Sequence, residues 1–165
     1  MACSTDVKPV DIRRKGMDLL ARREHGVDEL KRKLAVRFGG GEALTELIEV
    51  EVDKLVDEGL LSEERFAAAM VRQLIAKGLG PRRLDEELRV KGVRGSWRDC
   101  ADSSELAIDW YDQARHVYDK KFGDRAMPED HESARKEWAR RARFMQYRGF
   151  EPAHFMPLLA GRGLG

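Results

Sequence analysis

Lys77–Gly92 reads KGLGPRRLDEELRVKG, two glycines and a proline ahead of a leucine-spaced run that stops at a third glycine. Gly78 ends the apolar helical pattern of residues 62–77, and Gly80 turns the chain. Pro81 then opens the next helix at the one helical position that tolerates it, since its missing N–H would be unpaired there anyway. Leu84 and Leu88 make a narrow buried stripe, and Gly92 closes the helix within three turns. Such a segment predicts short helices joined by stiff corners, and its ending recurs. Lys91-Gly92-Val93 is matched by Arg148-Gly149-Phe150 and, more loosely, by Arg37-Phe38-Gly39. A base in the last turn, a glycine able to enter the left-handed region and an apolar residue folding back together terminate a helix.

Working outward, almost every apolar pattern has a helical period and none alternates as a strand. Helices are expected over 12–24, 27–38, 42–58, 62–77, 81–91, 105–122, 129–148 and 152–159, with a short segment from Ser96. Glycines or capping residues stand at most of the ends. Gly26 serves as a cap, Gly39-Gly40-Gly41 loosens the first corner, and Pro157 compromises the last helix. The nine helices divide into three sets, and each set buries too little to stand alone. The expected fold is all-α, an elongated, curved array of three tandem three-helix repeats, with a single globular bundle as the alternative. The expected boundaries are a flexible N-terminus (1–11), repeats at 12–60, 61–104 and 105–159, and a disordered tail at 160–165.

Composition agrees with thin cores: 42% of the 165 residues are hydrophobic and 37% are charged. The net charge of +1 hides segregation. Residues 13–37 hold nine bases and four acids, and 42–64 hold nine acids and Lys54 alone. Residues 72–94 are net +4, 98–112 net −4 and 135–148 net +5. Two readings fit this alternation: basic helices facing an anionic partner, or solvated faces that offset one another. No run approaches the roughly 20 apolar residues of a membrane span, and the N-terminus lacks a signal peptide's apolar core. Cys3 and Cys100 stand far apart, so a reducing cytoplasm is expected rather than a disulfide framework.

Four segments carry a resemblance. GLLSEERFA (59–67), KGLGPRRLDEELRVKGV (77–93), DWYDQARHVYDKKFG (109–123) and RFMQYRGF (143–150) resemble signature segments of the bacterial RecX family, and the likeness runs from about Leu19 to about Leu159. The resemblance implies three tandem three-helix repeats and a partner, the RecA recombinase filament. Proteins of this kind lie in the groove of the RecA–DNA filament. There they restrain filament growth, ATP hydrolysis, strand exchange and co-protease function, and so recombination, DNA repair and the SOS response; many also bind DNA weakly. The sequence departs from the family pattern at Gly26, where serine is usual, at the Gly39–Gly41 corner and at Pro157.

The residues themselves suggest where contact occurs. Arg82 and Arg83 sit in a first helical turn, where the dipole disfavours bases by about 0.5 kcal/mol. They either extend into water or flank an anion seat made by free N–H groups. Arg89 and Lys91 continue that basic helix. Arg140, Arg141, Arg143 and Arg148, interleaved with Phe144 and Tyr147, have the composition of a nucleic-acid surface, although Phe144 reads as core and Tyr147 is divided between packing and contact. Lys120-Lys121 is explained by helix-dipole complementation, Trp97, Trp110 and Trp138 by packing between helices, and Glu49, Glu51, Asp53, Asp57 and Glu58 as a solvated face. The four histidines have no metal-ligand spacing, and no phosphate-binding loop or nucleophile elbow is present. The expectation is a monomeric, non-catalytic regulator with no cofactor and no membrane contact, binding a RecA filament, with single- and double-stranded DNA as further candidate partners. The alternative is a helix-turn-helix-like module acting on DNA directly.

Overall fold

A computed structural model describes residues 6–101 and 107–160, and every regular element within that span is a helix. The helices come in three sets: α1 (Pro9–Leu20), α2 (Val27–Phe38) and α3 (Glu42–Asp57); α4 (Glu63–Ala76), α5 (Pro81–Val90) and α6 (Trp97–Ala101); α7 (Trp110–Phe122), α8 (His131–Tyr147) and α9 (Pro152–Ala160). The expected N-terminal stretch before residue 6, the junction at 104/105, the tail after residue 160 and Cys3 lie outside the described residues.

Local chemistry moves several boundaries. α1 begins at Pro9 rather than at 12, because proline suits the first position and the Lys8 N–H donates to the Asp11 carboxylate at 3.2 Å. It stops at Leu20, and a corner around buried His25 follows; Nδ1 of His25 lies 3.0 Å from the Arg23 carbonyl and Nε2 lies 3.1 Å from Lys33 Nζ. α7 begins only at Trp110, where the Asp109 carboxylate accepts the Asp112 N–H at 3.0 Å. Pro157 does not break α9, which continues to Ala160. The carbonyl left without its helical donor belongs to Ala153, an exposed residue where solvent replaces the bond, while Phe155 and Leu159 stay buried.

The chain divides into two compact units, one ending at Ala69 and the other starting at Met70. In the first, α1, α2 and α3 pack mutually around Ile12, Leu30, Leu34, Ile48, Val52, Leu55 and Leu61. Gly16 allows close approach there, since a Cβ would stand 3.0 Å from Leu55. Glu51 departs from the solvated face expected of it: it is only 3% exposed and accepts from Lys54. Gly26, at the start of α2, lies against the Phe66 ring, where a Cβ would come within 3.1 Å. The cap that Gly26 lacks is supplied from elsewhere, as the Val27 N–H donates to the Glu63 carboxylate at 2.6 Å.

In the second unit α7, α8 and α9 enclose Ala114, Val117, Tyr118, Phe122, Met145, Phe150, Phe155 and Leu159. α6 packs on α5, and Trp97 meets Trp110 edge-on with ring centroids 4.9 Å apart. The ends of α5 and α8 match, as their sequences suggested. The Val93 N–H donates to the Leu88 carbonyl at 3.0 Å and the Phe150 N–H to the Met145 carbonyl at 3.1 Å, each spanning the glycine and burying the apolar residue after it. α2 ends differently, with only the Gly39 N–H reaching back to Ala35.

The start of α5 and the end of α8 meet backbone to backbone. The Gly80 N–H donates to the Arg148 carbonyl at 2.7 Å and the Arg82 N–H to the Gly149 carbonyl at 3.1 Å, with Pro81, which has no N–H, between them. A Cβ on Gly80 would lie 2.5 Å from the Gly149 backbone, and one on Gly149, at φ +93°, would lie 2.5 Å from Arg83 Cγ. Gly80→Ala and Gly149→Ala are therefore each expected to cost about 3 kcal/mol or more, from overpacking and, at Gly149, backbone strain. Gly92→Ala, at φ +77° with open space around it, should cost only about 1 kcal/mol. Urea unfolding followed by helical circular dichroism tests the ranking; equal losses at the three positions would contradict it.

Candidate functional site

The backbone contact between α5 and α8 gathers part of the expected basic surface. Arg82 is exposed in the first turn of α5. Arg83 is half-buried; it reaches Glu86 and Glu87 at 3.3 Å each, and its guanidinium lies 5.6 Å from the Tyr147 ring centroid. Tyr147 is 73% exposed. Arg148 donates to the Lys77 carbonyl at 3.1 Å and stands over the Phe144 ring at 5.4 Å. Arg82, Arg83, Tyr147 and Arg148 thus form one patch. Arg89 and Lys91 are exposed at the other end of α5, roughly 10 Å along its axis. Arg143 is exposed on α8, and Arg140, also exposed, is held by both Glu137 oxygens at 2.8 Å.

Two expectations require correction. The seat of free N–H groups expected at the start of α5 is partly taken, because the Gly149 carbonyl accepts from Arg82 and the Arg148 carbonyl from Gly80 just ahead of it. Arg141 is not a surface residue either. It is 1% exposed and donates to Glu137 at 2.7 Å, to the Tyr118 hydroxyl at 2.7 Å and to the Arg125 carbonyl at 3.0 Å. A buried guanidinium is stable only when its donors are matched in this way. Its neighbour Arg140, one residue earlier, faces solvent because a 100° step separates adjacent positions on a helix.

A cleft of about 250 Å³ adjoins the patch, lined by Lys77, His116, Lys120, Lys121, Arg148 and the Phe144 ring, with no carboxylate among its lining residues. Gly78 makes it possible: at φ +81°, with Val117 3.0 Å from where its Cβ would be, it lays the end of α4 on α7. Lys121 Nζ stands 5.6 Å from the Phe144 centroid, so two cations flank one ring. A second hollow shares Ile75, Ala76, Gln113 and His116 and adds Arg72 and Asp112. Sequence reasoning assigned Lys120-Lys121 to the helix dipole and passed over Lys77. The available signal was that Lys77 directly follows one helix and Lys120-Lys121 end another, but only the approach of the Gly78 corner to Val117 of α7 brings them together. Cations without a matching acid favour a polyanion, phosphate or carboxylate.

The second three-helix domain of RecX matches residues 62–101, and the third matches residues 107–155. Regulatory protein RecX of Pseudomonas fluorescens is 44% identical over 94% of both chains, and that of Pseudomonas savastanoi pv. phaseolicola is 43% identical over the same shares. This chain belongs to the RecX family. A crystal structure of a regulatory protein RecX superposes with a TM-score of 0.64 at 19% identity, covering 90% of this chain and 71% of the other, which supports the fold. The two matched RecX domains correspond to α4–α6 and to α7, α8 and the first turn of α9. The family is one of regulatory proteins, and no helix among the described residues is long and apolar enough to cross a membrane.

The Arg141 network predicts acid sensitivity. The Arg140 guanidinium, joined by Arg141 and opposed by burial, holds Glu137 down to about 2 from an ordinary 4.5. A carboxylate depressed on folding stabilises the native state above its unfolded value, and that stabilisation is lost as pH falls through the window from 4.5 to about 2. Glu137→Gln should flatten the decline of the unfolding midpoint across that window. Arg141→Met should cost roughly 3–5 kcal/mol at neutral pH. An Arg141→Met protein as stable as wild type would refute the buried assignment.

Proposed function

We propose that this chain is a non-catalytic, cytoplasmic regulator that binds the RecA recombinase on DNA as a monomer and restrains its activities. The observation that carries the reading is the joined basic surface of the second unit, found in a chain of the RecX family. It comprises Arg82, Arg83, Tyr147 and Arg148 beside the cleft of Lys77, Lys120 and Lys121. Arg89, Lys91, Arg140 and Arg143 extend it. A partner that is itself a repeating assembly suits such a surface, because several modest contacts act together once the first has formed. Inhibition then follows from occupancy: a bound regulator holds protomers in a less productive arrangement and restrains ATP hydrolysis, strand exchange and co-protease function.

DNA-dependent ATP hydrolysis by the cognate RecA, measured on preformed filaments with rising amounts of this protein, should fall. Arg82→Glu combined with Arg89→Glu should shift the dose needed by about tenfold or more, since reversing contact charges weakens association through its rate and salt dependence. Unchanged hydrolysis at saturating wild-type protein would overturn the proposal.

The acid-free cleft favours a second reading, direct contact with nucleic-acid phosphates. Binding to DNA alone should then weaken about 10³-fold between low and moderate salt if six phosphates are engaged. Lys120→Glu with Lys121→Glu should abolish that binding; tight, selective DNA binding without RecA would promote this reading above the first.

A further inference from the structure

Trp138 was expected to pack between helices, yet it is 38% exposed on α8. It separates two hollows along the seam of α8 and α9. One, of about 440 Å³, is lined by Met127, His131, Ala134, Arg135 and Leu159, and the other, of about 350 Å³, by Ala142, Arg143, Gln146, Pro152 and Phe155. Trp138 and Met156, itself 41% exposed, belong to both. The seam runs along α8 from His131 to Gln146, roughly 22 Å. Alanines at 134, 139 and 142 keep its floor low between the larger side chains. A tryptophan beside an adaptable methionine, on a face with small floor residues, has the composition of a protein-recognition groove.

Charge indicates what fills it. No carboxylate lines either hollow, whereas Arg135 and Arg143 do, both exposed. Among the described residues neither arginine reaches an acid; Arg143 donates only to the Ala139 carbonyl at 3.3 Å. By contrast, the bases on the neighbouring stripe are paired, Lys136 with Glu132 and Arg140 with Glu137. The cations left over are the ones at the groove.

We infer that the α8–α9 seam is a docking groove for a protein segment carrying two apolar anchors flanked by acidic residues. The anchors enter the hollows on either side of Trp138 and Met156, and the flanking carboxylates meet Arg135 and Arg143. Resting on the function proposed above, the segment belongs to the RecA protomer. Trp138, being 38% exposed, can present its indole N–H to a carbonyl or carboxylate of the incoming chain.

The test is equilibrium binding of the full chain to RecA filaments assembled on single-stranded DNA, with thermal unfolding recorded for every variant. Trp138→Ala should weaken binding by about thirtyfold, the loss typical of a buried aromatic anchor, while the unfolding midpoint stays near wild type because the side chain is already part-exposed. Arg135→Glu provides the second arm: this side chain supports no core contact, and its reversal should weaken binding and reduce its salt dependence. Wild-type affinity in both variants, with the parent chain binding normally, would overturn the docking groove and leave the function above intact. A parent chain that does not bind filaments removes both readings. Sedimentation supplies the last outcome: a wild-type dimer that Trp138→Ala converts to monomer would assign the groove to a second copy of this chain and overturn the proposal.

Discussion

The approach of Gly80 to Gly149 is the constraint on which the second unit depends. Two backbones come together so closely that neither position accepts a Cβ, and two N–H groups of one segment donate to two carbonyls of the other. Pro81 sits between the donors and has no N–H to leave unpaired. This explains the stiffness of the turn in the middle of KGLGPRRLDEELRVKG. The glycine permits contact, the proline starts the helix without an orphan donor, and the arginines then emerge beside the end of α8. Arg83 covers the Tyr147 ring as a direct consequence.

The same economy appears at the start of two of the three second helices, α2 and α5. α2 begins at Gly26, and Glu63 supplies the acceptor that a capping side chain would have provided. α5 begins at Gly80, and the Gly149 carbonyl plays that part. α8 begins at Asp130, which caps its own helix through the Ser133 N–H at 2.9 Å. Where another segment must lie flat against a helix start, glycine replaces the capping side chain and the neighbour completes the hydrogen bond. The Gly26 departure from the usual serine fits this account, since the Phe66 ring fills the space a side chain would need.

Charge segregation divides along similar lines. In the first unit three of the nine bases of residues 13–37 meet acids, Arg13 with Glu58 and Arg23 and Lys33 with Glu29, and Arg65 meets Glu24. Exposed pairs of this kind contribute little to stability, but they offset part of the positive charge of the face that carries them. In the second unit Arg82, Arg89, Lys91 and Arg143 are exposed, and the lysines of the cleft face no acid within it. The functional surface is set less by where bases occur than by which of them lack an acid within reach.

Helix positions were legible from residues alone because caps, glycine stops and 3.6-residue stripes act over one or two turns. The shared endings of α5 and α8 were visible for that reason, and the misplaced starts at Pro9 and Trp110 turned on single backbone N–H bonds accepted by the Asp11 and Asp109 carboxylates. What folding in three dimensions decided was exposure. Arg140 and Arg141 are adjacent and chemically identical, yet one faces solvent and the other lies beneath Tyr118, because only the second is turned toward α7. Trp138 lies open beside α9, although its aromatic character suggested a core position, and Lys77 joins Lys120 only because Gly78 lets α4 settle on α7. Order along the chain specifies which face of a helix is apolar; what stands opposite that face depends on contacts between residues dozens of positions apart, and those contacts separate a buried base from a binding one.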